Sequence, residues 1–204
     1  MTLKFYTNPM SRGQIARWAL HEAGADYEQV LLEYDTTMKA PDFLAINPMG
    51  KVPAIDHDGK VVTEGAAICA YLADAFPDAG LAPTAEERAD YYRWLFFAAG
   101  PLESAITNRS MGFEVEPDKE RMAGYGNYDL VVDALDGKFR ADNYVCGARF
   151  TMADVYVGAQ IVWGTQFGTL PTRDSFIAYG QRVTERAAYG AAKAVDEALI
   201  AENG

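Results

Sequence analysis

Three short segments hold the residues whose types and spacing could do chemistry. The first, Thr7-Asn8-Pro9-Met10-Ser11-Arg12, closes a strand-like stretch and opens a helix. Hydroxyls and backbone N–H groups at such a junction can donate to an anion, although a serine there also serves simply as an N-cap. In the second segment, Lys51-Val52-Pro53 precedes a strand. Alone, Val-Pro reads as a trans proline opening an edge strand. In the cis alternative, costing only about 0.5–1 kcal/mol, Val52 would offer its N–H and C=O to an extended peptide. The third, Glu64-Gly65-Ala66, sits at a strand-to-helix junction, where free N–H groups and the helix dipole suit a carboxylate. Glu64 suits an ammonium group, or is only an N-terminal helix acid. Together the three describe a site for a small zwitterionic peptide. No G-x-S-x-G elbow surrounds Ser11 and neither His21 nor His57 is an evident base, so a hydrolytic serine is not expected.

The elements that must position these segments follow from periodicity. Leu3–Tyr6 alternates as a strand, Ser11–Ala23 is an amphipathic helix ended by Gly24, and Tyr27–Leu32 is a second strand. Two strands joined by one helix predict a parallel βαβ unit. A short helix at Pro41–Ala45, a strand at Ala54–Asp56, a His57-Asp58-Gly59 hairpin, a strand at Lys60–Thr63 and a helix at Gly65–Phe76 complete the order β-α-β-(α)-β-β-α. That is the order of a thioredoxin-like sheet.

Beyond a linker at 78–83 the pattern is helical throughout. The expected organisation is an α/β domain over 1–77 and an all-α domain over 84–204. Helices are expected at Ala85–Ser110, bent at Gly100-Pro101, at Asp118–Phe139, at Met152–Trp163, and singly or paired over Asp174–Ile200. Phe150-Thr151-Met152-Ala153-Asp154-Val155 reads as a capping box with a hydrophobic staple, a structural rather than a substrate-binding feature.

Composition narrows the function. The 204 residues are 50% apolar, enough for real cores, and carry a formal charge of −11. Both halves are acidic and no Lys/Arg cluster occurs, which argues against nucleic acid. No apolar run approaches the roughly 18 residues that span a bilayer, and no charged n-region precedes the first strand, so a cytoplasmic protein is expected. Cys69 and Cys146 lie in apolar sequence outside any C-x-x-C pair. With only two histidines besides, neither a disulfide scaffold nor a zinc site is expected.

Four blocks carry a family resemblance: F-Y-T-N-P-M-S-R-G, N-P-M-G-K-V-P-A-I, T-E-G-A-A-I-C-A-Y-L-A-D and Y-V-C-G-A-R-F-T-M-A-D-V. Across nearly its whole length the chain resembles cytosolic glutathione S-transferases of the bacterial type, and the last two blocks are close to beta-class enzymes. The resemblance implies a thioredoxin-like glutathione-binding domain, an all-α domain lining a pocket for a small hydrophobic electrophile, a homodimer, and detoxifying conjugation with glutathione as cosubstrate. It assigns Val52 to the cysteinyl backbone of glutathione and makes Pro53 the cis proline. Glu64 would meet the γ-glutamyl ammonium and Gly65, with Ala66, its carboxylate. Lys51, and more weakly Lys39, would meet the glycyl carboxylate. The family usually has serine at Gly65.

Ser11 falls where beta-class relatives carry cysteine, Thr7 and Asn8 lie near where other classes place a hydroxyl, and Glu103-Ser104 replaces a basic pair of the beta class. Stabilisation of the thiolate by a hydroxyl is therefore expected, with Ser11 first and Thr7 and Asn8 as alternatives, and with Arg12 adding positive potential. Lowering a thiol pKa of about 8.5 by roughly 2 needs about 2.7 kcal/mol, within reach of one hydroxyl plus a helix N-terminus. The electrophile pocket is expected to draw on Met10, Phe97, Leu102, Ile106, Met111, Trp163 and Phe167, each of which could equally be core. A glutathione-dependent disulfide reductase or peroxidase and a non-catalytic ligand-binding member are the competing readings.

Overall fold

The computed structural model describes residues 2–203, and the chain forms two compact units, Met1–Ala82 with Thr184–Gly204, and Pro83–Val183. In the first unit β1 (Leu3–Thr7), β2 (Glu28–Leu31), β3 (Ala54–His57) and β4 (Lys60–Thr63) form one sheet in the order β2-β1-β3-β4. β1 and β2 are parallel, as the βαβ pattern requires, and the remaining pairs are antiparallel. At the β3–β4 turn Asp58 and Gly59 both take positive φ, 51° and 82°, the geometry that a two-residue hairpin demands.

Alternation along β1 decides what each side chain meets. Leu3, Phe5 and Thr7 are buried on one face and Lys4 and Tyr6 are less so on the other. On the second face Tyr6, Val30 and Val52 pack with Leu32, Met38, Phe43 and Ala54, so α2 (Pro41–Ile46) covers that side of the sheet. On the first face α1 (Gly13–Glu22) and α3 (Gly65–Ala75) pack against each other. α1 ends as expected: Gly24 takes φ 64° and Ala25 N–H donates to the Leu20 carbonyl at 3.0 Å, closing the C-terminal turn.

The last helix, α9 (Ala187–Asn203), packs on α1 and belongs to the first unit rather than with the helical segment before it. Arg17, fully buried on α1, faces Asp196 of α9 at 2.9 Å, at an angle that leaves its Nε and both carboxylate oxygens without a formed hydrogen bond. Its Nη1 donates to the Tyr27 hydroxyl at 2.9 Å. Glu22 accepts both Nε and Nη2 of Arg186 at 2.6 Å, and Trp18 meets Tyr189 edge-to-face at 5.0 Å.

In the second unit α4 (Arg88–Phe97) starts three residues later than expected, because the chain first makes a tight turn, Glu87 N–H donating to the Thr84 carbonyl at 3.2 Å and Thr84 N–H to Glu87 Oε2 at 2.8 Å. The expected bend occurs as a widened π-turn at Ala98–Leu102 that accommodates Pro101, and α5 (Glu103–Ser110) continues. The helix expected from Asp118 begins only at Tyr128 (α6, Tyr128–Ala141). Gly126, at φ 67°, interrupts the chain there and Asn127 caps the new start, accepting Leu130 N–H at 2.9 Å. α7 (Met152–Gln166) is buried on nearly every side, and α8 (Asp174–Thr184) precedes α9. The capping box is present. Asp154 accepts Thr151 N–H at 2.8 Å, Val145 N–H at 2.7 Å and the Tyr179 hydroxyl at 2.9 Å. Burial pushes its carboxyl up to about 6, against the pull of these donors.

Candidate functional site

In the first unit a half-open pocket of about 270 Å³ is lined by Ser11, Arg12, Tyr34, Asp35, Met38, Lys39, Gly50, Lys51 and Val52. Five of the sequence-derived candidates, Ser11, Arg12, Lys39, Lys51 and Val52, thus meet in one pocket. The Val52–Pro53 peptide is cis, which corrects the reading of that dipeptide taken alone. Neither the N–H nor the C=O of Val52 has a partner among the described residues, so both are open to an added strand.

Glu64, Gly65 and Pro53 do not line the pocket itself. Register brings them next to it: Ala54 pairs with Thr63, so β4 leaves the sheet opposite the cis proline. Glu64 is held at φ 65°, an unfavourable conformation for a non-glycine residue, and its side chain is exposed. No side chain caps α3, and the N–H groups of Gly65 and Ala66 have no acceptor among the described residues. The junction therefore presents two open donors, the positive end of a helix and one carboxylate.

The three hydroxyl or amide candidates separate. Thr7 shares the parity of Leu3 and Phe5, is fully buried under α1, and its Oγ1 has no hydrogen-bond partner. Asn8 is buried with both ends engaged: Nδ2 donates to the Leu32 carbonyl at 2.9 Å and Oδ1 accepts Met10 N–H at 2.9 Å. It clamps the segment after β2 to the loop that carries Ser11. Ser11 alone reaches the pocket wall. Its hydroxyl donates to the Asn8 carbonyl at 2.6 Å and accepts Gly13 N–H at 2.9 Å.

Sequence reasoning missed Tyr34, Asp35, Met38 and Gly50. Lys39 donates to the Gly50 carbonyl at 2.8 Å, and Gly50 sits at φ 57° with the Met38 carbonyl 2.7 Å from where a Cβ would stand. The N-P-M-G turn signal was legible, but its dependence on Lys39 and Met38 is tertiary. Among the pocket candidates of the second unit, Leu102 is fully buried and is core, whereas Met111 and Phe167 are exposed. Burial raises both thiols, Cys69 to about 12 and half-buried Cys146 to about 11, which leaves neither a ready nucleophile. No helix among the described residues is long and apolar enough to cross a membrane.

A mixed four-stranded sheet with a cis proline opening its third strand, followed by an all-helical segment, defines a thioredoxin-like domain joined to a helical one. Residues 1–74 match the family described as Glutathione S-transferase, N-terminal domain. Glutathione S-transferase GstA of Escherichia coli O157:H7 is 28% identical over 98% of this chain and 98% of its own. Glutathione S-transferase 3 of Zea mays is 30% identical over 74% of this chain and 73% of its own. The structure of a sphingomonad glutathione S-transferase complexed with glutathione matches with a TM-score of 0.76 at 28% identity, covering 95% of this chain and 98% of that one. The chain belongs to the glutathione S-transferase family.

Proposed function

We propose that the protein is a glutathione transferase that binds glutathione along Val52 and uses its thiolate as nucleophile toward small hydrophobic electrophiles. The observation that carries this reading is the cis Val52–Pro53 bond with both backbone groups of Val52 unpaired, in a wall shared with Ser11, Arg12 and Lys51. The cysteinyl backbone would pair with Val52, the γ-glutamyl group with Glu64, Gly65 and Ala66, and the glycyl carboxylate with Lys51 and Lys39. The thiol proton leaves to solvent. The thiolate then forms a C–S bond to the electrophilic carbon, and the leaving group departs with its electron pair. Ser11 is the first candidate to stabilise that thiolate, and Arg12 adds positive potential to a chain of net charge −11. Thr7 and Asn8 act behind it as framework.

Within the family, the T-E-G-A-A-I and F-T-M-A-D-V blocks support a place near the beta class, with Ser11 standing where that class has cysteine. The resemblance also supports a cytoplasmic homodimer, with residues 1–77 binding glutathione and the helical part, 84–204, supplying Met111, Phe167 and their neighbours to the electrophile. A disulfide reductase or peroxidase is the second reading, favoured by the engagement of Ser11's only proton with the Asn8 carbonyl.

Calorimetric titration with glutathione, followed by steady-state assays with a chloronitroaromatic, a disulfide and a hydroperoxide, tests the proposal. Binding with turnover of the chloronitroaromatic supports transfer. Turnover of only the disulfide or hydroperoxide selects the second reading, and no binding removes both.

A further inference from the structure

A pocket that must hold a thiolate needs a hydroxyl with a proton to give, and the hydrogen bonds around this one show which hydroxyl has it. Ser11 has a single proton, and it lies on the Asn8 carbonyl at 2.6 Å, a short and well-formed contact. Thr7 is sealed under α1. One further hydroxyl lines the pocket, that of Tyr34. Its only hydrogen-bond partner among the described residues is the Met10 carbonyl at 3.4 Å, well beyond the ordinary O–H···O range. That contact locates the phenol without holding it. It reaches from the segment after β2 across to the residue preceding Ser11, at the end of the pocket where Ser11 stands.

The backbone holds Tyr34 in this position. Two residues earlier, buried Leu32 is tied to the end of β1 on both sides: its N–H donates to the Thr7 carbonyl at 2.9 Å and its carbonyl accepts Asn8 Nδ2 at 2.9 Å. On the other side Asp35 is forced to φ 61°, the Thr37 hydroxyl accepts Glu33 N–H at 2.7 Å, and Met38 N–H returns to the Glu33 carbonyl at 3.1 Å above a buried side chain. A strained non-glycine residue inside a loop braced at both ends is the pattern expected where a side chain is being aimed. The charged groups of the same pocket are Arg12, Lys39 and Lys51, against Asp35.

We infer that Tyr34 is a second ligand-facing hydroxyl of this site, whose phenol donates to the sulfur of a thiol peptide bound beside Ser11. The inference rests on the glutathione reading above. Tyr34 keeps its proton throughout; the thiol loses its own to solvent, and the phenol O–H turns from the long Met10 contact to the thiolate. A hydrogen bond to an ionised sulfur favours that form, so the donor lowers the thiol pKa.

The experiment is an ultraviolet thiolate titration of glutathione bound to the full-length protein and to Tyr34→Phe, Ser11→Ala and the double variant, with calorimetry for affinity. Tyr34→Phe keeps the ring and is expected to raise the pKa of the bound thiol by about 1, with an affinity loss of less than roughly tenfold. S-methylglutathione, which has no thiol, should bind wild type and Tyr34→Phe alike. An unchanged thiol pKa in Tyr34→Phe overturns the inference, as does an equal loss of affinity for S-methylglutathione, which would mean that Tyr34 only shapes the peptide groove. Failure of wild type to bind glutathione at all would instead defeat the glutathione reading itself.

Discussion

Gly13 opens α1 directly over the buried Thr7 hydroxyl, and replacing it should reverse an ordinary trend. A Gly→Ala change within a helix normally gains about 0.5–1 kcal/mol. At Gly13 the added Cβ would stand 2.0 Å from Thr7 Oγ1, 3.2 Å from Thr7 Cβ and 2.9 Å from Ser11 Oγ. Thr7 cannot rotate away, because it is β-branched, fully buried and part of β1. An overlap of more than 1 Å against so fixed an atom forces backbone movement; overpacking typically costs about 1–3 kcal/mol. Gly13→Ala should therefore lose about 1–2 kcal/mol even after the helix gain. Thr7→Ala alone should be nearly neutral, within about 1 kcal/mol, since it removes a methyl together with an unpaired buried hydroxyl. In the double variant the 2.0 Å overlap is gone, while Ser11 Oγ at 2.9 Å and the retained Cβ of position 7 at 3.2 Å still press on the added methyl, so a coupling of about 1 kcal/mol should return part of the lost stability. Urea unfolding followed by far-ultraviolet circular dichroism measures all four proteins. Wild-type or greater stability in Gly13→Ala would show that helix propensity prevails and that the approach of α1 to β1 is not close; absence of rescue by Thr7→Ala would show that Thr7 is not the obstacle.

Three further outcomes follow from packing and charge. Gly50→Ala adds a Cβ at φ 57° against the Met38 carbonyl, 2.7 Å away, and should cost about 2–4 kcal/mol and weaken glutathione binding; unfolding midpoint and calorimetry read the two effects separately. Asp196→Ala strands the buried Arg17 guanidinium and should cost about 3–5 kcal/mol, much of it recovered in Arg17→Met/Asp196→Leu; a loss below about 1 kcal/mol in the single variant would refute the buried pair. Burial raises Asp154 from 3.8 to about 6, so between these values the folded chain holds a proton that the unfolded chain has released. Its contribution to stability is thus greatest below about pH 4 and falls by about 3 kcal/mol as pH rises through 6. Asp154→Asn should flatten that part of the stability-against-pH curve while lowering stability at neutral pH through lost acceptors, and an unchanged slope would count against the shift.

What could be read in the sequence was what local chemistry decides. The Thr151–Asp154 capping box, the Gly24 helix stop and the Asp58-Gly59 turn each depend on residues within five positions of one another, and each formed where expected. The start of α6 is also local, yet it differs from the expected Asp118, because Gly126 at φ 67° and the Asn127 cap set a boundary that helix-forming composition on either side does not reveal. The attachment of α9 was beyond such reading: Arg17 and Asp196 lie near opposite ends of the chain, and nothing in either neighbourhood signals the other.

The site divides along the same line. Residue type singles out Thr7, Asn8 and Ser11, but a donor matters to a ligand only if the fold has left it unused. Strand parity buries Thr7, and Asn8 is occupied at both ends in holding the Ser11 loop to the segment after β2. Ser11 lies in the wall with its proton already on the Asn8 carbonyl. The open groups are the backbone of Val52, the first N–H groups of α3 and the phenol of Tyr34. Two of these belong to the main chain, where side-chain identity carries no signal, and the third sits in a turn with no motif. For Ser11 to serve a thiolate it must release the Asn8 carbonyl, and that carbonyl must then go unpaired or find water. Tyr34 faces no such exchange, because the contact it would give up is already too long to hold it.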